Sequence, residues 1–171
     1  MKKLYSLLAI LATAAMALGF ASCGGDDDDD SGVMAPPEAF EDALVKLYPQ
    51  ARGVKWEKNG PYIVAGFQQD MADYDVWFEQ SASWAMTEID YGKNLSAVPD
   101  KAVTDAFKAG DYSSWMVDDV SCYKQKTREF YVIEVEAPQQ IETDLYYATD
   151  GTLIKAVPDD QDTDIYPDTK I

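Results

Sequence analysis

Hydrophobic residues along the chain recur first at helical spacing and then at the spacing of β-strands. Phe40, Leu44, Leu47 and Tyr48 fall on one face of a helix, and Pro49 follows them. This pattern predicts an amphipathic helix that ends at the proline. Runs rich in alternating, β-branched and aromatic residues come next and predict four strands, at 54–57, 62–68, 72–79 and 83–89.

The second half of the sequence repeats this order. A second helix is predicted over 99–108, with Gly110 as its stop. Strand residues then recur at a constant offset of 69 positions, which indicates an internal repeat. The first strand needs an offset of 66, and a longer turn over 124–129 absorbs the difference. The matched pairs are Tyr62 with Tyr131, Asp75 with Asp144, Phe78 with Tyr147, Trp84 with Leu153 and, at the shorter offset, Trp56 with Cys122.

The predicted fold class is α+β, with two tandem repeats that each consist of a helix plus four antiparallel strands. One copy of about 65 residues would bury only a marginal core. We therefore expect the two copies to form one extended sheet with both helices on one face.

The N-terminus has the composition of a secretory signal. Two lysines precede an apolar run over 4–18, which is short for a transmembrane helix. The residues that follow resemble the lipobox of bacterial lipoproteins, whose cysteine is lipidated, here Cys23. Phe20 stands where that pattern usually has Leu. The resemblance implies a signal peptide over 1–22 and a lipid-anchored protein; ordinary cleavage near Ala21 and a secreted product are the alternative.

Five consecutive aspartates follow at 26–30. Because adjacent carboxylates repel one another and bury nothing, they predict a solvated tether over 23–35. The block also resembles the acidic export signal that sends Bacteroidetes lipoproteins to the outer face of the outer membrane; a plain linker is the alternative. Since an acidic protein is repelled by anionic lipid, membrane attachment would come only from the anchor. A cell-surface location follows from the resemblance, with a periplasm-facing one as the alternative.

The tail begins as a calcium loop would, with acids at 160, 162 and 164, but Ile165 and Ile171 stand where such a loop needs Gly and Glu. A solvated tail and no metal site are therefore expected. The predicted segments are a signal peptide over 1–22, an acidic tether over 23–35, a first repeat over 36–95, a second repeat over 96–158 and an acidic C-terminal tail over 159–171.

Composition excludes several kinds of chemistry. The 171 residues carry 14 Lys and Arg against 31 Asp and Glu, a net charge of −17, so a basic surface for nucleic acid is not expected. The absence of histidine removes Ser-His-Asp and Cys-His catalysis. Cys122 therefore has no histidine base and is interpreted as a small buried residue. Because no set of residues supplies base, nucleophile and stabiliser together, we expect a protein that is not an enzyme and needs no cofactor.

The aromatic residues predict a recognition surface. Strand alternation places Trp77 beside Asp73 and Asp75 on the outer face of the sheet, and Tyr146 is its counterpart in the second copy. An outward apolar patch of this kind is typical of an interaction site. Coverage by a loop, the tail or a dimer partner, or a register error of one residue, are the alternatives. The candidate binding residues are Trp77, Tyr146, Ile63, Phe67, Phe130 and Val132.

A family resemblance covers roughly residues 37–158. The residues that carry it are Tyr48-Pro49 at a helix end, Val54-x-Trp56-Glu57, Tyr62-x-Val64, Val76-x-Phe78, and Trp84 after a turn. They resemble the PepSY-like lipoproteins of Bacteroidetes, which are also described as similar to the beta-lactamase inhibitory protein. The second copy departs from the pattern, with Cys122 in place of Trp and Leu153 in place of an aromatic residue.

The resemblance implies a non-enzymatic envelope lipoprotein that binds a protein or peptide partner through the outer sheet face. Inhibition of a secreted or envelope enzyme is the sharper form of this expectation. The carboxylates around the aromatic rings would suit a partner that carries Arg and Lys. The alternative is a surface protein that binds a small ligand or a glycan, because outward Trp and Tyr rings could stack on a sugar. The sequence leaves the partner and the oligomeric state open.

Overall fold

The computed structural model describes residues 35–158 and 164–171. The predicted signal peptide, Cys23, the tether up to residue 34 and the start of the tail lie outside these residues. The described elements, in chain order, are α1 (Glu38–Leu47), β1 (Lys55–Asn59), β2 (Tyr62–Gln69), β3 (Ala72–Phe78), β4 (Trp84–Asp90), a short 3-10 helix (Leu95–Ala97), α2 (Lys101–Ala109), β5 (Met116–Gln125), β6 (Arg128–Glu136), β7 (Thr143–Ala148) and β8 (Leu153–Pro158).

The eight strands form one antiparallel sheet in which each strand pairs with the next along the chain. Apart from the link between β4 and β5, which contains α2, consecutive strands are joined by short connections, and these favour this order because antiparallel neighbours need no crossover. The sheet and the two helices confirm the mixed α and β class and the single extended sheet.

Helix α1 packs on side chains of the first strands. Phe40 and Leu44, one turn apart, are buried in a cluster with Trp56 and Phe78. The ring of Phe40 meets the rings of Trp56 and Phe78 edge to face, at centroid distances of 6.4 and 6.2 Å. Such aromatic pairs contribute about 0.5–1.5 kcal/mol beyond the burial of their area, so they fix α1 on the sheet.

Helix α2 packs on the later strands. Val103 and Phe107 are buried in a cluster that includes Cys122. The turn after β7 passes directly against this helix. Gly151 has a φ of +87°, and a Cβ added there would lie 2.5 Å from the carbonyl oxygen of Ala102. Only glycine satisfies both the backbone conformation and the close approach.

The strand register differs by one residue from the predicted repeat. Ile63 pairs with Phe78, and Tyr131 pairs with Tyr147. The residue of β2 that matches Tyr131 is therefore Ile63, whereas the 69-residue offset matched Tyr62 to it. Because side chains alternate along a strand, this slip exchanges the two faces of β2.

The slip arises between β6 and β7, where the chain has one residue more than between β2 and β3: Phe67 pairs with Tyr74, seven positions later, whereas Val135 pairs with Thr143, eight positions later. The preceding hairpin, β5 and β6, does not cause it. Strands β5 and β6 remain paired as far as Gln125 and Arg128, and β1 and β2 as far as Asn59 and Tyr62. Both hairpins thus close with a two-residue turn. The longer turn predicted over 124–129 is wrong, since most of that segment is strand.

Residues paired across antiparallel strands point to the same side of the sheet. We call the side that carries Phe78 and Cys122 the first face, and the side that carries Trp77 and Tyr146 the second face. Cross-strand pairing runs along the second face from Asp73 to Asp90, from Asp90 to Ser121, from Ser121 to Val132, and from Val132 to Tyr146.

Candidate functional site

Four of the six candidate binding residues lie on the second face, where the sequence placed them. Trp77 is in one apolar cluster of this face, and Phe130, Val132 and Tyr146 form another. All four are buried, with only 6% of Trp77 and 3% of Tyr146 exposed.

The face predicted for Ile63 and Phe67 is wrong. Both residues lie in the cluster around Phe40 of α1 and are 4% and 6% exposed. Val64 takes the second-face position beside Trp77. The physical reason is the one-residue slip in β2, which turns each side chain of that strand to the opposite side.

A C-terminal segment, residues 164–171, lies over the apolar part of the second face. Ile165 packs against both clusters there, and Ile171 packs against the one that contains Tyr146. The ring of Tyr166 meets that of Trp77 edge to face, with centroids 6.0 Å apart. We call the surface beneath this segment the covered patch, made of Val64, Trp77, Ala85, Met86, Phe130, Val132 and Tyr146.

Hydrogen bonds from the sheet hold the backbone of this segment. Gln125 Nε2 donates to the carbonyl oxygen of Tyr166 at 3.1 Å, and the Arg128 guanidinium donates to that of Thr169. The segment is also closed on itself, because the amide of Thr169 donates to Tyr166 O at 3.0 Å. Residues 164–171 are therefore packed on the sheet, which corrects the expectation of a solvated tail for this part. Ile165 and Ile171, apolar residues in an acidic stretch, were the signal for it.

The rest of the second face carries carboxyl groups on neighbouring strands. Asp75 lies opposite Glu88, and Asp73 opposite Asp90. On β5, β6 and β7, three acidic residues stand in one row across the sheet. Like charges directly opposite each other are destabilising, so the sheet gives up stability here. We call these residues the acidic band: Asp73, Asp75, Glu88, Asp90, Asp119, Glu134 and Asp144.

Burial and crowding raise the pKa values of part of this band toward neutral pH. Burial, together with the charges of Asp75, Asp90 and Asp119, raises the pKa of Glu88 to about 7, against a hydrogen bond from Tyr123 that favours the ionised form. The Tyr123 hydroxyl lies 2.8 Å from Glu88 Oε1. Burial, followed by the charge of Asp90, likewise raises the pKa of Asp119 to about 7.

A second group of carboxylates lies where β5, β6 and the approach to β7 meet. Asp118, Glu134 and Glu142 place one oxygen each within 4.8 Å of one another. Oxygen ligands at this spacing are compatible with a hard cation such as Ca²⁺. The ammonium group of Lys93 already forms an ion pair with Asp118 and supplies positive charge at that point.

Cys122 occupies the interior of the first face. Burial, followed by the charge of Glu129, raises the pKa of its thiol to about 12, and the thiol donates to Glu129 Oε1 at 3.6 Å. A thiol with so high a pKa is a poor nucleophile at neutral pH. Its location agrees with the sequence interpretation of a small buried residue.

Comparison with known proteins identifies the family. Residues 62–155 match the family model described as "Putative beta-lactamase-inhibitor-like, PepSY-like". The chain belongs to this PepSY-like family. The match confirms the PepSY-like, beta-lactamase-inhibitor-like part of the resemblance read from the sequence. No curated protein matches the chain.

Solved structures of similar proteins come from Bacteroides. A BLIP-like protein of Bacteroides fragilis is 35% identical, with a TM-score of 0.71 over 81% of this chain and 97% of that one. A DUF2874 family protein of Bacteroides ovatus is 31% identical, with a TM-score of 0.65 over 73% of this chain and 89% of that one. A Bacteroides eggerthii structure named "putative periplasmic proteins" is 29% identical, with a TM-score of 0.64 over 73% and 90% of the two chains. In the described part of this PepSY-like chain, no helix is long and apolar enough to cross a membrane.

Proposed function

We propose that this PepSY-like protein is a non-enzymatic binding module that engages a protein or peptide partner through the second face, and that it inhibits a secreted or envelope enzyme. The observation that carries the proposal is the acidic band beside the covered patch, in a chain whose family is beta-lactamase-inhibitor-like. A fold does not by itself imply a function, so the argument rests on this face.

Charge defines the kind of partner that fits. Asp73 and Asp75 are exposed on β3, and Glu88 and Asp90 are partly exposed beside them on β4. Arg and Lys side chains of a partner would relieve the repulsion between these carboxylates. Complementary charge mainly speeds association and excludes wrong partners. A partner with a basic surface is therefore the class that this face would recognise.

The location belongs to the same proposal. Lipidation at Cys23 and the aspartates at 26–30 would tether the protein to the outer membrane, with the sheet displayed at the cell surface. The similarity to a structure named as periplasmic supports an envelope location. Labelled palmitate incorporation that is lost in Cys23→Ser tests the anchor, and protease treatment of intact cells distinguishes a surface location from a periplasm-facing one.

The tandem arrangement also remains a proposal: two helix-plus-four-strand copies with both helices on the first face. Cross-strand pairing supports it, because Tyr74 lies opposite Ile89 and Ile89 opposite Cys122. Tyr74 packs against the cluster that contains α1, and Cys122 belongs to the cluster that contains α2. A crystal structure with the helices on opposite sides of the sheet would contradict it.

The binding test compares two double variants that remove the same charge. Asp73→Asn/Asp75→Asn changes the acidic band, and Glu41→Gln/Asp42→Asn changes exposed positions on α1. Proteins that wild type captures from envelope extract should be lost with the first variant and retained with the second. A captured enzyme would then be assayed with and without the protein. Equal capture by both variants would contradict a role for the second face.

Glycan binding is not favoured by this geometry. It requires exposed aromatic rings, and the C-terminal segment covers Trp77 and Tyr146. Tryptophan fluorescence with a glycan panel would check this directly.

A further inference from the structure

The covered patch is not an ordinary part of the core, because the segment above it forms no strand of the sheet. Residues 164–171 lie across the second face and carry no helix or strand of their own. Ile165 and Ile171 point apolar side chains to the sheet, whereas Asp164, Tyr166, Asp168 and Lys170 stay exposed. The segment turns between Tyr166 and Thr169, where the amide of Thr169 donates to the carbonyl oxygen of Tyr166 at 3.0 Å.

The sheet contacts the segment largely through groups that would also bind a different peptide. Gln125 and Arg128 donate to backbone carbonyl oxygens, which every peptide possesses. Trp77 and the other apolar side chains of the covered patch receive one aliphatic and one aromatic residue, Ile165 and Tyr166. The surface thus contacts backbone carbonyl oxygens together with a short apolar signature.

The segment fills this surface incompletely. An open depression of about 400 Å³ lies beside it, lined by Tyr62 and Ala85 together with polar and charged residues such as Arg128, Glu79 and Asp168. The indole Nε1 of Trp77 is buried and finds no hydrogen-bond acceptor among the described residues. A buried donor without an acceptor is costly, so a ligand that supplied an oxygen at this point would bind better than the segment does.

We propose that the covered patch is a peptide-binding groove that the C-terminal segment occupies in cis, and that a partner segment with adjacent aliphatic and aromatic residues displaces it. This inference rests on the proposed function, because it names another part of the same partner, an apolar segment, that the second face would bind. The acidic band would attract the basic part of the partner, and the groove would take its apolar segment.

The test uses the full chain and a labelled peptide with the sequence of residues 164–171, Asp-Ile-Tyr-Pro-Asp-Thr-Lys-Ile. In wild type, the tethered copy competes at an effective concentration of about 1 mM. In the double variant Ile165→Asp/Tyr166→Ala, this competitor is lost. We expect the variant to bind the peptide at least tenfold more tightly than wild type, and a control peptide with Asp and Ala at those two positions not to bind.

Three results would overturn the proposal. The variant could remain folded, as judged by near-UV circular dichroism, yet bind the peptide no better than wild type. Alternatively, the variant could unfold, which would make the segment an integral part of the core. Hydrogen exchange in wild type gives an independent reading, because amides of a displaceable segment open far more readily than those of β6. Equal protection of the amides in the segment and in β6 would also count against the proposal. None of these measurements uses the envelope partner, so a negative result here leaves the test of the acidic band unaffected.

Discussion

Neutralising Glu88 should make the protein more stable, and only at high pH. Glu88 lies opposite Asp75 across β3 and β4, and it accepts a hydrogen bond of 2.8 Å from Tyr123. Glutamine has nearly the same shape, and its carbonyl oxygen can accept the same bond. The variant Glu88→Gln therefore removes the charge and leaves the packing in place.

The magnitude follows from the pKa of Glu88, which burial raises from 4.5 to about 7 in the folded protein. Below pH 4.5 the group is protonated in both the folded and the unfolded chain and has no effect. As pH rises from there to 7, the unfolded chain loses the proton first, so the free energy of unfolding falls. The full difference corresponds to about 3 kcal/mol. Because the side chain is partly exposed, we expect roughly 1–2 kcal/mol after allowance for solvent screening.

Urea denaturation at pH 5 and pH 8.5 provides the assay. Glu88→Gln should raise the free energy of unfolding by that amount at pH 8.5 and by much less at pH 5. Glu41→Gln, an exposed change in the first turn of α1, is the control and should shift both values equally by a few tenths of a kcal/mol. The reasoning is refuted when the gain from Glu88→Gln is the same at both pH values.

Three further outcomes test the packing. Phe107→Ala, which truncates a buried ring of α2, should lower the free energy of unfolding by about 3–5 kcal/mol in urea. Gly151→Ala should lower the free energy of unfolding by about 2–4 kcal/mol, because the added Cβ meets the Ala102 carbonyl. The control Gly53→Ala, where nothing lies within 4 Å, should lower it by about 1–2 kcal/mol from its positive φ alone. Equal losses of stability in the two variants would contradict the close approach. In a Cys23→Ser chain, the buried Cys122 thiol, with its pKa of about 12, should not react with a thiol reagent at pH 8 until urea unfolds the protein.

The order of the elements could be predicted from the sequence because each has a strong local signal. Helix α2 was expected over 99–108 and is found at Lys101–Ala109, and the strand expected over 62–68 is found at Tyr62–Gln69. Hydrophobic spacing identifies such elements, while their ends stay uncertain by a residue or two. Tight turns between strands then favour a sheet in chain order.

The faces of β2 could not be predicted, because both of its sides are apolar. Tyr62, Ile63, Val64 and Ala65 are consecutive, and the last three are all buried. Alternation fixes which side faces the core only where the other side is polar. In β3, by contrast, Asp73 and Asp75 mark one side, and Trp77 was placed correctly. One extra residue between β6 and β7 was therefore enough to exchange the faces expected for β2.

The C-terminal segment was misread because its charge outweighed its two isoleucines. An acidic stretch is typically solvated, and the contacts that hold 164–171 come from Gln125 and Arg128, some 40 residues away. No local pattern reports a contact of that sequence separation. The sequence did leave open that the tail covers the aromatic residues, and this alternative is the arrangement found.

The acidic band allows binding and stability to be separated. A carboxyl group that served only the fold would make the protein less stable when neutralised, whereas those of the band oppose one another across the strands. Functional sites are where a protein gives up stability. We therefore expect Asp73→Asn/Asp75→Asn to raise the urea midpoint while partner capture falls. A higher urea midpoint together with weaker partner capture would assign the band to recognition. A lower midpoint together with weaker capture would show that the band stabilises the fold.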